Sequence, residues 1–388
     1  MDNKTKLDDI VYVGCNDKDL DLFESQYIVP NGMAYNSYII LDDKIAIMDT
    51  IDKRKEKEWL ENIQNVLKDR IPDFLVISHL EPDHSSGIES LCKLYKEMKI
   101  VGNDRTFSML PQFVSVDNIE ERKVVVKEND SLNLGKHLLQ FYMAPMVHWP
   151  EVMVTYDNKD KVLFSADAFG KFGTLDTDED WACEARRYYF NIVGKYGMQV
   201  QMLLKKLSNV DIEKILPLHG PILTENLEYY ISKYDIWSSY TPEDKGVFIA
   251  CASIHGNTYE AANYLKEVLE KNTDEKIVLS DLSREDIAEC IEDAFRYDKM
   301  IVMASSYNTK VFPVMEEFLT KLQDKNYQKR KVGIVQNGSW APSAAKCMSE
   351  IISKMKDIKV IEPVVTIKTK MNEESKQMLN ELATNILK

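Results

Sequence analysis

Six cysteines, Cys15, Cys92, Cys183, Cys251, Cys290 and Cys347, stand apart with no C-x-x-C spacing, which argues against a disulfide framework, a zinc ribbon or a cysteine-ligated iron–sulfur cluster. Apolar runs are short. None approaches the ~18 residues needed to cross a bilayer, and no basic segment followed by an apolar run opens the sequence, so the expectation is a cytoplasmic chain with no membrane contact. Excess positive charge is also lacking. The formal net charge is -14 and no run of Lys or Arg reverses it locally, which argues against nucleic acid as a partner. No G-x-G-x-x-G follows a strand-like run, so no dinucleotide such as NAD or FAD is implied. Repeats and low-complexity tracts are missing as well. Histidine is rare, at six in 388 residues, and that scarcity makes their positions informative.

At this length a single core is unusual and two domains are expected. From about Val11 to Asp167 the pattern is strand-rich, with runs at KIAIMD, DFLVISH, RKVVVKE, HLLQFYMA, EVMVTYD and KVLFSAD. Helical spacing predicts helices over Arg54–Arg70, Ser85–Met98, the long segment Asp178–Leu207 and Tyr229–Tyr240. TPEDKG, residues 241–246, reads as a linker between domains at 1–240 and 247–388. Beyond it, GVFIACAS, KIVLSDL, KMIVMASS, KVGIVQNG and KVIEPVV alternate with helices starting near Thr258, Arg284, Pro313, Pro342 and Glu373. Five βα units predict a doubly wound parallel sheet with its ligand at the carboxyl ends of the strands.

In the first half, the apolar strand DFLVIS runs into His79, Glu81, Asp83 and His84, four potential metal ligands within six residues. His148, Asp167 and His219 follow other strand-like runs, in APMVHWP, LFSADAFG and ILPLHGP. Strand ends of a layered fold converge on one rim, where such residues meet. Any one of these histidines alone reads as a structural residue; seven ligand types in matching positions read as a metal site. His137, in GKHLLQFY, has no ligand neighbour in sequence and reads as a strand or surface residue. Trp149, beside His148, reads as packing, as do Tyr27, Tyr35 and Tyr38.

In the second half, the first strand runs into Ser253, Ile254, His255, Gly256, Asn257 and Thr258 and then a helix, a loop whose backbone N–H groups suit a phosphate. Ser253 and Asn257 also suit ordinary helix caps. Ser305, Ser306, Tyr307 and Asn308 follow the third strand, and Asn337, Gly338, Ser339 and Trp340 the fourth. Both loops offer polar and aromatic contacts to a ring, although Tyr307 and Trp340 could equally pack on their own helices.

The metal constellation resembles the metallo-β-lactamase fold family, whose signature begins H-x-H-x-D-H. Here the second histidine is Glu81, and H-x-E-x-D-H, with PNGMAYNSYII, HWPE and SADAF around it, resembles the flavodiiron proteins over nearly the whole chain. The resemblance implies an N-terminal metallo-β-lactamase-like αββα sandwich and a C-terminal flavodoxin-like domain. It assigns His79, Glu81 and His148 to one non-haem iron, Asp83, His84 and His219 to a second, and Asp167 to a bridge. Mixed histidine and carboxylate donors suit iron better than zinc. Ser253, Gly256, Asn257 and Thr258 would hold the phosphate of FMN, with Ser305 to Asn308 and Asn337 to Trp340 around its ring. The implied activity is reduction of O2 to water or of NO to N2O, or both. Lacking a built-in rubredoxin domain, the chain would need a separate electron donor such as rubredoxin. A head-to-tail homodimer, or two such dimers together, would bring one chain's flavin to the other's irons. The alternatives are a zinc-dependent hydrolase of β-lactamase or glyoxalase type fused to a flavodoxin domain, and a non-catalytic electron-transfer or sensing protein with a vestigial metal site.

Overall fold

The computed structural model describes residues 7–388, and within them the chain forms two compact units. The first comprises the chain through Tyr189 together with Met198–Asp235; the second comprises Phe190–Gly197 with Ile236–Lys388. The strand that opens the parallel sheet starts at Asp244, inside the TPEDKG segment. No helix among the described residues is long and apolar enough to cross a membrane.

The first unit stacks two sheets. One runs in the order Ile10–Tyr12, Tyr38–Ile40, Ala46–Met48, Phe74–Val76, Lys99–Gly102, Lys123–Val125; its last four strands are parallel. The other runs Ser131–Asn133, Leu138–Met143, Met153–Asp157, Val162–Phe164, Lys214–Leu216. Strands such as Ala46–Met48 and Phe74–Val76 read as unbroken apolar runs because all three residues of each are buried. Tyr38, Ile40, Met48 and Val76 from one sheet pack with Phe141, Met153, Phe164 and Leu216 from the other in a single core. The helix Glu56–Leu67 buries Trp59, Ile63 and Leu67, spaced four apart on one face. The region expected as one long helix over Asp178–Leu207 is instead Trp181–Tyr188, a π turn at Tyr189–Val193, a 3-10 turn at Gly194–Tyr196 and the helix Gly197–Leu207. Two glycines three residues apart, Gly194 and Gly197, interrupt it.

The second unit is a five-stranded parallel sheet in the order Lys276–Asp281, Asp244–Ala252, Tyr297–Tyr307, Arg330–Asn337, Ile358–Ile367, with Lys310–Val311 added antiparallel to the third of these. Strand order reverses between Asp244–Ala252 and Tyr297–Tyr307, the switch point at which such sheets bind ligands. Helices Asn257–Glu270 and Glu373–Leu387 bury Leu265, Leu269, Leu379 and Leu382 against Ile249, Ile301 and Val335 of the sheet. The helices expected near Arg284 and Pro342 begin at Ile287 and Ala344. Asp286 caps the former by accepting from Ala288 N, which fixes the start past the charged residues.

Candidate metal and flavin sites

Each of the seven candidate ligands in the first unit sits just past a strand. His79 and Glu81 follow Phe74–Val76, and the single turn Pro82–Ser85 carries Asp83 and His84. His148 follows Leu138–Met143, Asp167 follows Val162–Phe164 and His219 follows Lys214–Leu216. Glu81 is partly buried and the other six are buried.

Their donor atoms form two groups. His79, Glu81, His148 and Asp167 make one, with His148 Nε2 3.0 Å from both Glu81 Oε2 and Asp167 Oδ2 and His79 Nε2 3.2 Å from Glu81 Oε2. Asp83, His84 and His219 make the other, with Asp83 Oδ2 3.2 Å from His84 Nε2 and 3.3 Å from His219 Nε2. Asp167 faces both: its Oδ2 is 3.5 Å from His79 Nε2, and its Oδ1 lies 3.4 Å from His84 Nε2 and 3.8 Å from His219 Nε2.

The ring orientations are fixed from behind. His79 Nδ1 donates to Glu151 Oε1 at 2.9 Å and His219 Nδ1 to the carbonyl of Ala34 at 2.8 Å, so each turns Nε2 toward the cluster. Asn36 clamps the His219 loop by donating to the carbonyls of Pro217 at 2.8 Å and Gly220 at 2.7 Å. Asp49 accepts from the backbone N–H of Ser78 at 2.6 Å, holding the loop that carries His79.

The electrostatics favour a cation in this cluster. Burial alone would depress the His79 and His148 imidazoliums, yet their carboxylate neighbours outweigh it, raising His79 well above its ordinary range and His148 to about 9. Asp167 is held far below the usual carboxylate range by the histidines, against its burial. Both carboxylate oxygens of Asp83 and Oδ1 of Asp167 are buried without a hydrogen-bond partner, and the Nε2 atoms of His84 and His219 face each other at 3.0 Å. Unpartnered oxygens and opposed nitrogens are a donor set that a metal pair would satisfy.

A pocket of roughly 300 Å3 opens on Glu81 and Asp83, walled by Leu22, Glu24, Tyr35 and Asp52. Burial, reinforced by the charge of Glu81, pushes the Glu24 carboxyl up to about 7. Trp149 packs edge-on to His79 at 5.2 Å and Tyr35 edge-on to His219 at 5.8 Å, whereas Tyr38 lies in the core against Tyr12 and Phe164 and Tyr27 packs on Phe172.

The reading of His137 needs correction. It is fully buried, its Nδ1 is 3.0 Å from Asp157 Oδ2, and Asp157 and Asp160 gather around it into a third group of potential ligands. The hairpin after Met153–Asp157 folds these carboxylates back, a proximity that sequence spacing hides. The Lys159 ammonium already takes the position of a cation there, 3.3 Å from His137 Nε2, 2.8 Å from Asp9 Oδ2 and 3.3 Å from Asp160 Oδ2.

In the second unit a cleft of roughly 530 Å3 lies at the carboxyl ends of the strands. Of the twelve residues expected around a flavin, eleven line it; Gly256 does not, but forms the left-handed N-cap, at φ 92°, of the helix that begins at Asn257. No side chain caps that helix, so its first N–H groups remain for an anion. Several side chains support the walls rather than face the cleft. Ser306 Oγ accepts from the backbone N–H of Ser343 at 2.9 Å and Ala344 at 3.2 Å, capping a neighbouring helix. Asn337 exchanges two hydrogen bonds with the backbone of Thr369, both at 2.9 Å. Thr369 and Ser343 were missed from sequence; Ser343 ends the loop that carries Trp340, and Thr369 follows the next strand, Ile358–Ile367.

The two units therefore define a class: a metallo-β-lactamase-like αββα domain joined to a flavodoxin-like domain. Residues 33–220 match the ODP family beta lactamase model and residues 248–385 match a flavodoxin domain. A nitric oxide reductase of Moorella thermoacetica is 28% identical over 391 residues, covering 98% of this chain and 96% of the relative. A putative diflavin flavoprotein of Nostoc sp. is 26% identical over 98% of this chain, which spans only 66% of that longer protein. The solved rubredoxin oxygen:oxidoreductase of Desulfovibrio gigas superposes with a TM-score of 0.90 at 25% identity, covering 98% of this chain and 96% of that one. The chain belongs to the flavodiiron proteins, and membership implies a flavin and iron.

Proposed function

We propose that this chain reduces O2 to water, NO to N2O, or both, at two non-haem irons fed by electrons from FMN. The single observation that carries this reading is Asp167, whose two carboxylate oxygens face two separate groups of three further donors each. His79, Glu81 and His148 would hold one iron, Asp83, His84 and His219 the other, and Asp167 would bridge them. The bound irons and flavin supply the electron-transfer chemistry, which no side chain here provides.

The chain's own residues do the rest. Glu151 and the Ala34 carbonyl orient His79 and His219; Asn36 and Asp49 hold the loops behind them. The pocket over Glu81 and Asp83 has room for a diatomic to reach the cluster, and the Glu24 carboxyl on its wall is pushed up to about 7. On the second unit, residues 253–258 would hold the FMN phosphate, and Ser305 to Asn308 with Asn337 to Trp340 would surround the ring.

We place the diiron domain at residues 1–240 and the FMN domain at 247–388, in a cytoplasmic protein supplied by a separate donor such as rubredoxin. Because the two cofactors belong to different units, a head-to-tail homodimer would pair each flavin with its neighbour's irons. The test is one preparation analysed for iron, zinc and FMN and then supplied anaerobically with reduced donor and either gas. Two irons and one FMN per chain with gas uptake are expected. Zinc alone, with esterase or thioesterase activity and no uptake, would overturn the proposal.

A further inference from the structure

The loop proposed to hold the flavin phosphate offers neutral donors and little charge. Ser253 Oγ accepts from the backbone N–H of Gly256 at 3.1 Å, and Thr258 Oγ1 shares a hydrogen bond with Ser305 Oγ at 2.9 Å, so each hydroxyl of the loop already has a partner. The uncapped first turn of the helix Asn257–Glu270 adds backbone N–H groups. A phosphate monoester carries a charge of about -1.5 to -2 at neutral pH, which a helix terminus worth roughly +0.5 offsets only in part. The residues lining the cleft include no Asp, Glu, Lys or Arg, and His255 is the only one of them able to carry a positive charge. It stands two residues ahead of the helix, is exposed, and makes no hydrogen bond or ion pair among the described residues.

We infer, resting on the FMN reading of the cleft, that His255 is the charge partner of the flavin phosphate, so that the cleft selects FMN over an unphosphorylated flavin and holds it more tightly as pH falls. In ordinary surroundings an imidazole gains its charge as pH falls through ~6.5. The other charges stand on the elements around the loop. Glu260 lies in the first turn of the same helix and faces Lys376 on the helix Glu373–Leu387, where Glu373 pairs with Lys376 and Glu374 stands beside them. Asp281, Arg284 and Glu285 gather at the end of the neighbouring edge strand Lys276–Asp281, where Leu282 N donates to the Cys251 carbonyl. On the other side, Tyr307 ends the adjacent strand and Lys310 follows it. Lys368 and Lys370 follow the outermost strand, three strands away, or on the order of 14 Å. Carboxylates, phenols, ammonium and guanidinium groups keep their charge state between pH 6 and pH 8.5 in ordinary surroundings, so these groups set a constant background and His255 supplies the change. Because the phosphate favours the protonated imidazole, the complex binds more protons than its separated parts, and affinity rises as pH falls.

The test titrates the full chain, freed of flavin, with FMN and with riboflavin, following flavin fluorescence from pH 6 to pH 8.5. A phosphate monoester itself titrates near ~6, so the readout is the ratio of variant to wild-type dissociation constants at each pH, in which that titration cancels. His255→Gln should weaken FMN binding by about fivefold at pH 6 and by less than about twofold at pH 8.5. Near-normal binding at pH 8.5 separates a lost charge from a disturbed loop. His255→Lys keeps a charge throughout and should bind FMN more tightly than His255→Gln at pH 8.5. Riboflavin, which has no phosphate, should show no pH-dependent gap between the proteins. Equal weakening of FMN binding by His255→Gln at both pH values, no weakening at either, a Lys variant no tighter than the Gln variant at pH 8.5, or the same gap with riboflavin would each overturn the assignment of His255 and leave the FMN reading standing. A wild type that takes up no FMN at any pH would remove that reading and the role of His255 with it.

Discussion

Replacing Glu151 by Gln should loosen a metal ion at the His79 group without altering any of the seven candidate ligands. Glu151 is fully buried, and its Oε1 accepts two hydrogen bonds, from His79 Nδ1 and from the backbone N–H of Leu80, both at 2.9 Å. Glutamine keeps the shape and an acceptor oxygen but removes the charge, and charge-assisted hydrogen bonds are roughly twice as strong as neutral ones. With a net worth of ~1.5–3 kcal/mol for a bond to a charged group, the two bonds together lose about 2 kcal/mol, or about thirtyfold in metal affinity. That lies inside the ~10–100-fold range seen when partners behind a ligand are removed. Oε2 has no hydrogen-bond partner, so the amide N–H2 that replaces it is also unsatisfied and lowers stability by about 1–3 kcal/mol. A chelator titration with iron quantified at each step, alongside a thermal melt, separates the two effects. The variant should lose iron at about thirtyfold lower chelator while still folding at the assay temperature. Retention of iron with the wild-type midpoint would refute the argument that Glu151 acts through His79.

Asn36→Ala removes two hydrogen bonds and leaves the buried carbonyls of Pro217 and Gly220 unpaired, so the first unit should lose about 2–4 kcal/mol in denaturant unfolding and iron from the Asp83, His84 and His219 group first. The pKa of His137 is raised in the folded chain: burial lowers it, but the hydrogen bond and charge of Asp157 win. Its charge-dependent stabilisation is therefore complete below the unfolded value of ~6.5 and is lost as pH rises through the folded value, so the gap in unfolding free energy between wild type and His137→Gln should shrink from pH 6 to pH 9. Gly256→Ala places a Cβ with nothing within 4 Å but at φ +92°, so the loss is conformational alone; about 1–2 kcal/mol of strain should weaken FMN binding roughly five- to thirtyfold in a fluorescence titration.

The second unit was the more legible in sequence because its parallel sheet is covered on both faces, which turns each strand into a continuous apolar run bounded by turn residues. The sandwich was harder. Its strands are often three residues long, too short for alternation to register, and Lys214–Leu216 was legible only as the short apolar run before His219. The candidate metal ligands stood out because their chemistry is rare and their placement after strands repeats. The residues behind them did not, since Glu151, Asn36 and Asp49 are of common types, and what makes each of them matter is a partner 71, 181 and 29 residues away. His137 shows the converse. A histidine with no acidic residue close in sequence acquired buried carboxylate partners because a hairpin returned them. Local sequence records which side chains can bind a metal, while the topology decides which of them face one another and which are neutralised by a lysine. The two groups meeting at Asp167 and the Lys159-filled group at His137 differ in that one respect, and it is why the first carries unpartnered buried oxygens and the second satisfies its own charges.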